Sequence, residues 1–255
     1  MELSKRLKTI ADMVTEGMSV ADVGCDHGFV SIYLYQHKNA PRVYAMDVRT
    51  GPLSRAKEHI EAYGLSQYIE TRLSDGLSAL LPGEAQALVC AGMGGRLMVK
   101  ILSEGYDKIL LMKELILQPQ SELSFFREYL RTHGLVIVQE DMVKEDGKFY
   151  PVIKAVPSKE AWENAAYTRT VQGGGCGAES LSEKERQRIS DSFGPLLLEQ
   201  RHPVLLEYLK LLQDRNEKIL RELSECGAYT RLLEIKKELK DIERCLAFYE
   251  GGAEL

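Results

Sequence analysis

Aspartate and glycine recur at alternate positions in Asp22-Val23-Gly24-Cys25-Asp26-His27-Gly28, directly after the apolar run Val20 to Val23. A glycine turn at the end of such a run lets backbone come close to a bound nucleotide-like cofactor. Asp47 ends the next apolar run, Arg42 to Met46, at a spacing suited to a carboxylate that accepts hydrogen bonds from two ribose hydroxyls. Leu73-Ser74-Asp75-Gly76 closes a third run, where Asp75 can accept from an adenine amino group. The nicotinamide pattern G-x-G-x-x-G is not formed, because Gly24, Asp26 and Gly28 alternate. That disfavours hydride transfer and favours S-adenosylmethionine as the cofactor.

These positions need a scaffold that brings strand ends together. Leu7, Ile10, Ala11 and Val14 recur at helical spacing behind Ser4, a plausible N-cap, and Gly17 ends the pattern. Strands are expected at 20–23, 42–47, 69–73, 87–90 and 115–117, with helices after Gly28 and at 53–63, 96–102 and 123–131. Strands alternating with helices predict a parallel, doubly wound sheet. Two last strands, 135–139 and 150–155, are separated by the charged stretch Glu140 to Lys148, too short for a crossover helix, so an antiparallel hairpin is expected at the sheet edge.

Beyond Pro157 the composition shifts. Gly173-Gly174-Gly175-Cys176-Gly177 reads as a flexible loop. Leu205, Leu209, Leu212, Asn216, Ile219 and Leu223 follow heptad spacing, as do Leu232, Ile235, Leu239, Ile242, Leu246 and Tyr249. Two helices joined around Gly227 predict an antiparallel hairpin, with Pro203 in the first turn. The expected domains are therefore 1–157, holding the cofactor motifs, and 158–255, all helical.

Composition narrows the partners. The chain of 255 residues carries 33 Lys and Arg against 38 Asp and Glu, a net charge of -5, so nucleic acid must be met by local basic patches. No apolar run approaches the roughly 18 residues of a membrane span. Charges at Met1 to Lys8 have no apolar core behind them, so a cytoplasmic location is expected. Five cysteines without CxxC spacing argue against both a disulfide framework and a zinc site, and no metal is expected.

Arg6-Leu7 with Ile10-Ala11, the Asp22 to Gly28 turn, Ala91-Gly92-Met93-Gly94-Gly95, Leu117-Gln118-Pro119-Gln120, Glu145-Asp146-Gly147-Lys148-Phe149-Tyr150 and the helical tail together resemble the TrmK family. These are bacterial S-adenosylmethionine-dependent methyltransferases that act on N1 of adenosine 22, in the D-arm region of tRNA. The resemblance covers essentially the whole chain. It implies an α/β, Rossmann-like class I methyltransferase sheet and a C-terminal antiparallel coiled-coil-like domain for tRNA recognition; a monomer is expected.

The expected cofactor contacts are Asp22, Gly24, Cys25, Gly28, Asp47, Val48, Asp75, Gly76, Ala91, Gly92, Met93 and Gly94. Asp26 stands where the wider superfamily has glycine; it either favours a cationic product or caps a helix. His27 bonds the base or satisfies a local carbonyl, Gln118 offers a donor and an acceptor to an adenine edge, and Tyr150 stacks a base or fills the core. These four are the catalytic candidates. Lys5, Arg6, Lys8, Arg49 and Arg55 are the phosphate-contact candidates. Lys236, Lys237 and Lys240 rank lower because Glu234, Glu238 and Asp241 interleave them. A methyltransferase of a small molecule or protein, or a cofactor-binding RNA module without catalysis, stay as alternatives.

Overall fold

The computed structural model describes residues 2–158, 181–226 and 229–251. They form two compact units that divide in the segment between 158 and 181. The glycine-rich stretch 173–177 and Gly227 lie outside the described residues.

In the first unit, α1 (Lys5–Met13) precedes β1 (Val20–Val23), α2 (Phe29–Lys38), β2 (Val43–Asp47), α3 (Thr50–Ala62) and β3 (Ile69–Leu73). Then follow β4 (Ala87–Met93), α4 (Gly95–Glu104), α5 (Tyr106–Ile109), β5 (Glu114–Pro119), α6 (Leu123–Thr132), β6 (Leu135–Glu145) and β7 (Lys148–Pro157). The sheet order is β3-β2-β1-β4-β5-β7-β6. The first five strands are parallel and β7 runs antiparallel to both β5 and β6.

Every residue of β1, β2 and β5 is buried, which explains why these strands read as continuous apolar runs and not as alternation. Ile10 and Ala11 of α1 and Val14 just after it join Ile32 and Leu34 of α2 and Ile60 of α3 in one core with Val20, Val43 and Val89. Ser4 caps α1 by accepting the Leu7 N–H.

The edge hairpin is longer than its charges suggest. The stretch Glu140 to Lys148 is not a connection: β6 runs to Glu145, β7 starts at Lys148, and Asp146-Gly147 alone make the turn, both at positive φ. Glu140 is accommodated because its carboxylate accepts from Arg127 Nε of α6 at 2.9 Å, with both side chains buried. A charged residue in a strand is satisfied there by a helix that covers it.

The second unit holds α7 (Glu183–Phe193), α8 (Pro195–Glu199), α9 (Pro203–Cys226) and α10 (Tyr229–Tyr249). Ser182 and Glu185 form a reciprocal capping box at the start of α7. α9 and α10 pack together, and the Tyr249 hydroxyl, at the end of α10, donates to the carbonyl of His202, just before α9, at 2.9 Å. The pair is therefore antiparallel. Leu205, Leu209, Asn216, Ile235 and Ile242 of the heptads are buried. Arg188 of α7 makes a bidentate pair with Asp241 of α10 at 2.7 and 2.8 Å.

Candidate active site

Register places the chemistry. Val23 is level with Met46 on β2 and with Cys90 on β4, and Ala91 is level with Gln118 on β5. One step further along the chain, Asp47, Gly24, Ala91 and Gln118 therefore form one row across four adjacent strands. Strands lie about 4.8 Å apart, so the row spans roughly 14 Å at the carboxyl edge of the sheet. A cleft of about 480 Å³ opens above it.

At one end stands Asp47, 5% exposed, whose Oδ1 accepts the Arg49 N–H at 2.8 Å. Its Oδ2 takes no hydrogen bond from the described residues, which leaves a buried carboxylate oxygen for a ligand's hydroxyls. The next strand end supplies Ser74, Asp75 and Gly76, which line the cleft beside Val48. At Gly24 the backbone takes φ of +76°, a left-handed turn that glycine makes without strain, and the methyl end of the Met93 side chain lies against it.

The other end is organised by Gln118. Register between β4 and β5 shifts across Gly92, a bulged residue at φ of +79°. The bulge turns the Gly92 N–H to Gln118 Oε1 at 3.2 Å, and the same oxygen accepts Arg6 Nη1 at 3.0 Å. Gln118 Nε2 donates to the Pro119 carbonyl. The guanidinium of Arg6 lies over the Tyr150 ring, 5.2 Å from its centroid.

This arrangement corrects the role expected for Gln118. The side chain is fully buried, its amide is consumed by the protein, and it does not line the cleft. It therefore has no free edge to offer an adenine. Gln120, two residues later, is exposed and lines the cleft instead. A Cβ at Gly92 would sit 3.6 Å from Arg6 Nη1 and 3.7 Å from Gln120 Nε2, so the two polar groups converge over that glycine.

Asp26 lines the cleft with a carboxylate that makes no helix-cap hydrogen bond; the N-cap of α2 is Gly28. Its nearest basic neighbours are His27 Nε2 at 3.7 Å and Arg55 Nη2 at 3.9 Å. His27 takes a positive φ of 61°, stacks on Phe29 and His59, and does not line the cleft, whereas Phe29 does. Its carbonyl, not its ring, meets His59 Nδ1 at 2.8 Å.

Of the expected cofactor contacts, all line the cleft except Gly28 and Gly94, which shape the turns at its rim. Among the phosphate candidates, Arg6 and Arg49 line the cleft, Lys8 is held by Asp12 and Tyr33, and Lys5 is exposed. Phe29, Leu97 and Ile101 also line it, and sequence reasoning passes over them because nothing in their type or spacing distinguishes them from core.

Burial raises the pKa of several groups. Asp22, which accepts the Ser31 hydroxyl at 2.6 Å, is pushed up to about 6 by burial. Burial likewise pushes the thiol of Cys25 far up and that of Cys90 up to about 12, so neither is a thiolate near neutral pH. Among the described residues no group of side chains could hold a metal ion, and no helix is long and apolar enough to cross a membrane.

On the second unit, Lys236, Lys237 and Lys240 are exposed and do not find the partners expected from spacing. Glu234 is paired with Arg231, and Asp241 with Arg188 and Arg244.

Residues 3–153 match a family model described as a methyltransferase domain. The chain is 38% identical over 155 residues to the tRNA (adenine(22)-N(1))-methyltransferase of Bacillus subtilis, a stretch that covers 61% of this chain and 65% of that relative. In structure it is similar to the B. subtilis m1A22 tRNA methyltransferase TrmK, at 28% identity and a TM-score of 0.81 over 96% of this chain and 99% of that one. It is also similar to Sp1610 of Streptococcus pneumoniae in complex with S-adenosyl-L-methionine, at 29% identity and a TM-score of 0.78 over 96% and 100% of the two chains.

Proposed function

From the membership of this chain in the TrmK family of methyltransferases, we propose that it transfers a methyl group from S-adenosylmethionine to N1 of adenosine 22 in the D-arm region of tRNA. The observation that carries the reading is the single row of Asp47, Gly24, Ala91 and Gln118 beneath one cleft. Its residues fit the cofactor: a buried carboxylate with a spare oxygen at Asp47, and backbone opened by glycine at Gly24 and Gly92.

When bound, the cofactor supplies a methyl on a cationic sulfonium. N1 of adenine carries a free in-plane lone pair, so no proton has to leave before transfer, and the product base is cationic. The demand on the protein is alignment and electrostatics more than proton abstraction. Asp26 supports the second, since its exposed carboxylate takes no hydrogen bond from the described residues and has only long contacts with His27 and Arg55. Gln120 and the Gly92 bulge border the space for a base, and Gln118 and Tyr150 act behind them as positioning residues. Lys5, Arg49 and Arg55 on the first unit, and Lys236, Lys237 and Lys240 on the second, are the proposed phosphate contacts. A cytoplasmic monomer remains the expected form.

Mapping reverse-transcription stops after incubating unmodified tRNA with the protein and S-adenosylmethionine tests the proposal. A new stop at position 22 is expected, because a methyl on the Watson–Crick edge blocks copying. No stop in any tRNA, with cofactor binding intact, would sink it.

A further inference from the structure

The turn from Gly24 to Gly28 is anchored from two sides. Its first half belongs to the sheet, because the Gly24 and Cys25 N–H groups both donate to the Met46 carbonyl on β2, at 2.8 and 3.0 Å. Its second half belongs to α3. At Gly28, with φ of +71°, a Cβ would lie 3.2 Å from that of Ala56, so the helix packs directly on the turn. Arg55, Ala56 and His59 share one face of α3 and meet Asp26, Gly28 and His27 respectively.

His27 is the strained member of this turn. A φ of 61° is disfavoured for a residue with a Cβ, and such a conformation persists only where its surroundings hold it. His59 holds it in two ways. Its Nδ1 lies 2.8 Å from the His27 carbonyl, and since a carbonyl only accepts, Nδ1 carries the hydrogen. Its ring also stacks on those of His27 and Phe29, at centroid distances of 5.8 and 4.9 Å. Both contacts fall on the half of the turn that α3 anchors, and His59 itself does not line the cleft.

We propose that His59 is a positioning residue for methyl transfer: it fixes the left-handed backbone of His27 and so the directions of the Asp26 carboxylate and the His27 ring. The inference rests on the reading of Asp26 and His27 as groups that meet the base, and adds the residue through which the fold holds them. Relaxation of His27 to the right-handed region would move these side chains relative to each other and to the cleft. Misplacement by about 1 Å is enough to lower a rate by about 100-fold.

Single-turnover rates of the full chain on unmodified tRNA, with S-adenosylmethionine and tRNA affinities measured beside them, test it. His59→Ala is expected to slow transfer by about 10-fold or more, with both affinities within about twofold of the intact protein's, because the sheet still holds Gly24 and Cys25. The retained cofactor affinity also reports that the variant is folded. The amide nitrogen of asparagine occupies the place of Nδ1 along the side chain, and that of glutamine the place of Nε2. His59→Asn should therefore restore the rate to within about threefold, and His59→Gln should stay as slow as the alanine variant. In a His27→Gly background, where glycine takes the positive φ unaided, His59→Ala should slow transfer by less than about twofold further. The proposal is overturned by a normal rate in His59→Ala, by equal losses in the asparagine and alanine variants, or by losses that multiply in the double variant, as a general loss of stability would give. An intact protein that methylates no tRNA overturns the reading of the base slot and the proposal with it, a result distinct from the other three.

Discussion

Gln118 Oε1 and the Gly92 N–H lie 3.2 Å apart on neighbouring strands, and this bond fixes a bulge that glycine alone makes without strain. Removing the side chain leaves a backbone donor and a partly buried arginine without an acceptor. Gln118→Ala is expected to lower stability by about 1 to 3 kcal/mol, the scale of an unsatisfied buried group. Chemical denaturation measures this; a change within about 0.5 kcal/mol, the range of ordinary surface substitutions, would show that the bulge holds itself.

Asp47 is the simplest test of the cofactor site. Asp47→Ala is expected to weaken S-adenosylmethionine binding by about 1 to 3 kcal/mol, as for loss of a buried charged acceptor. The Arg49 N–H also loses its partner, so folding should be checked alongside by thermal melting. Unchanged calorimetric affinity would remove Asp47 from the site.

Much of the fold and site is legible in the sequence, and the gaps have physical causes. Asp47 and the Asp22 to Gly28 turn can be read because strand ends of a parallel sheet are the places where ligands meet backbone. Gln118 misleads because a residue type reveals its donors and acceptors but not which neighbours consume them; Arg6 and Gly92, distant in sequence, do so here. The charged run at Glu140 looks like a loop because Arg127, buried above it, cannot be seen from the strand's own pattern. Spacing along α10 pairs its lysines with Asp241, whereas Arg188 of another helix holds that carboxylate.

Asp22 sets a pH dependence. Its folded value is raised from 3.8 to about 6 by burial, so the folded state holds the proton more tightly than the unfolded chain. Stability from this group is full below about pH 4 and is lost as pH rises through about 6, by about 3 kcal/mol. Asp22→Asn keeps an acceptor for Ser31 and has no proton to lose. The stability of the intact protein relative to Asp22→Asn should therefore fall by about that amount between about pH 4 and pH 7. Parallel curves for the two proteins would show that Asp22 does not titrate in this range.

The helical unit is expected to carry tRNA affinity and not cofactor affinity. A chain ending near 158 should remain folded and bind S-adenosylmethionine normally, because the cofactor motifs all lie in the first unit. It should bind tRNA weakly. Replacing Lys236, Lys237 and Lys240 with glutamate in the full chain should reduce the slope of log affinity against log salt by about one for each phosphate no longer neutralised. An unchanged slope would move the tRNA-binding surface away from this face of α10.

Access to the base makes the last test. N1 of an adenosine within folded tRNA is engaged in pairing or stacking, so the nucleotide must be extruded, at a cost of a few kcal/mol. Groups that meet the base only after extrusion contribute to turnover and not to the affinity for tRNA. Asp26 is placed for this, in the cleft and without a hydrogen bond from the described residues, and the His27 ring stands beside it, stacked on Phe29. Asp26→Ala is expected to lower kcat by about 10- to 100-fold, with tRNA affinity nearly unchanged. His27 sits at a positive φ of 61°, so His27→Gly removes the ring without straining the backbone, and it should lower kcat in the same sense. Single-turnover rates alongside binding measurements separate the two quantities. If both variants turned over normally with intact cofactor binding, the slot for the base would have to be formed by Gln120 and the Gly92 bulge alone.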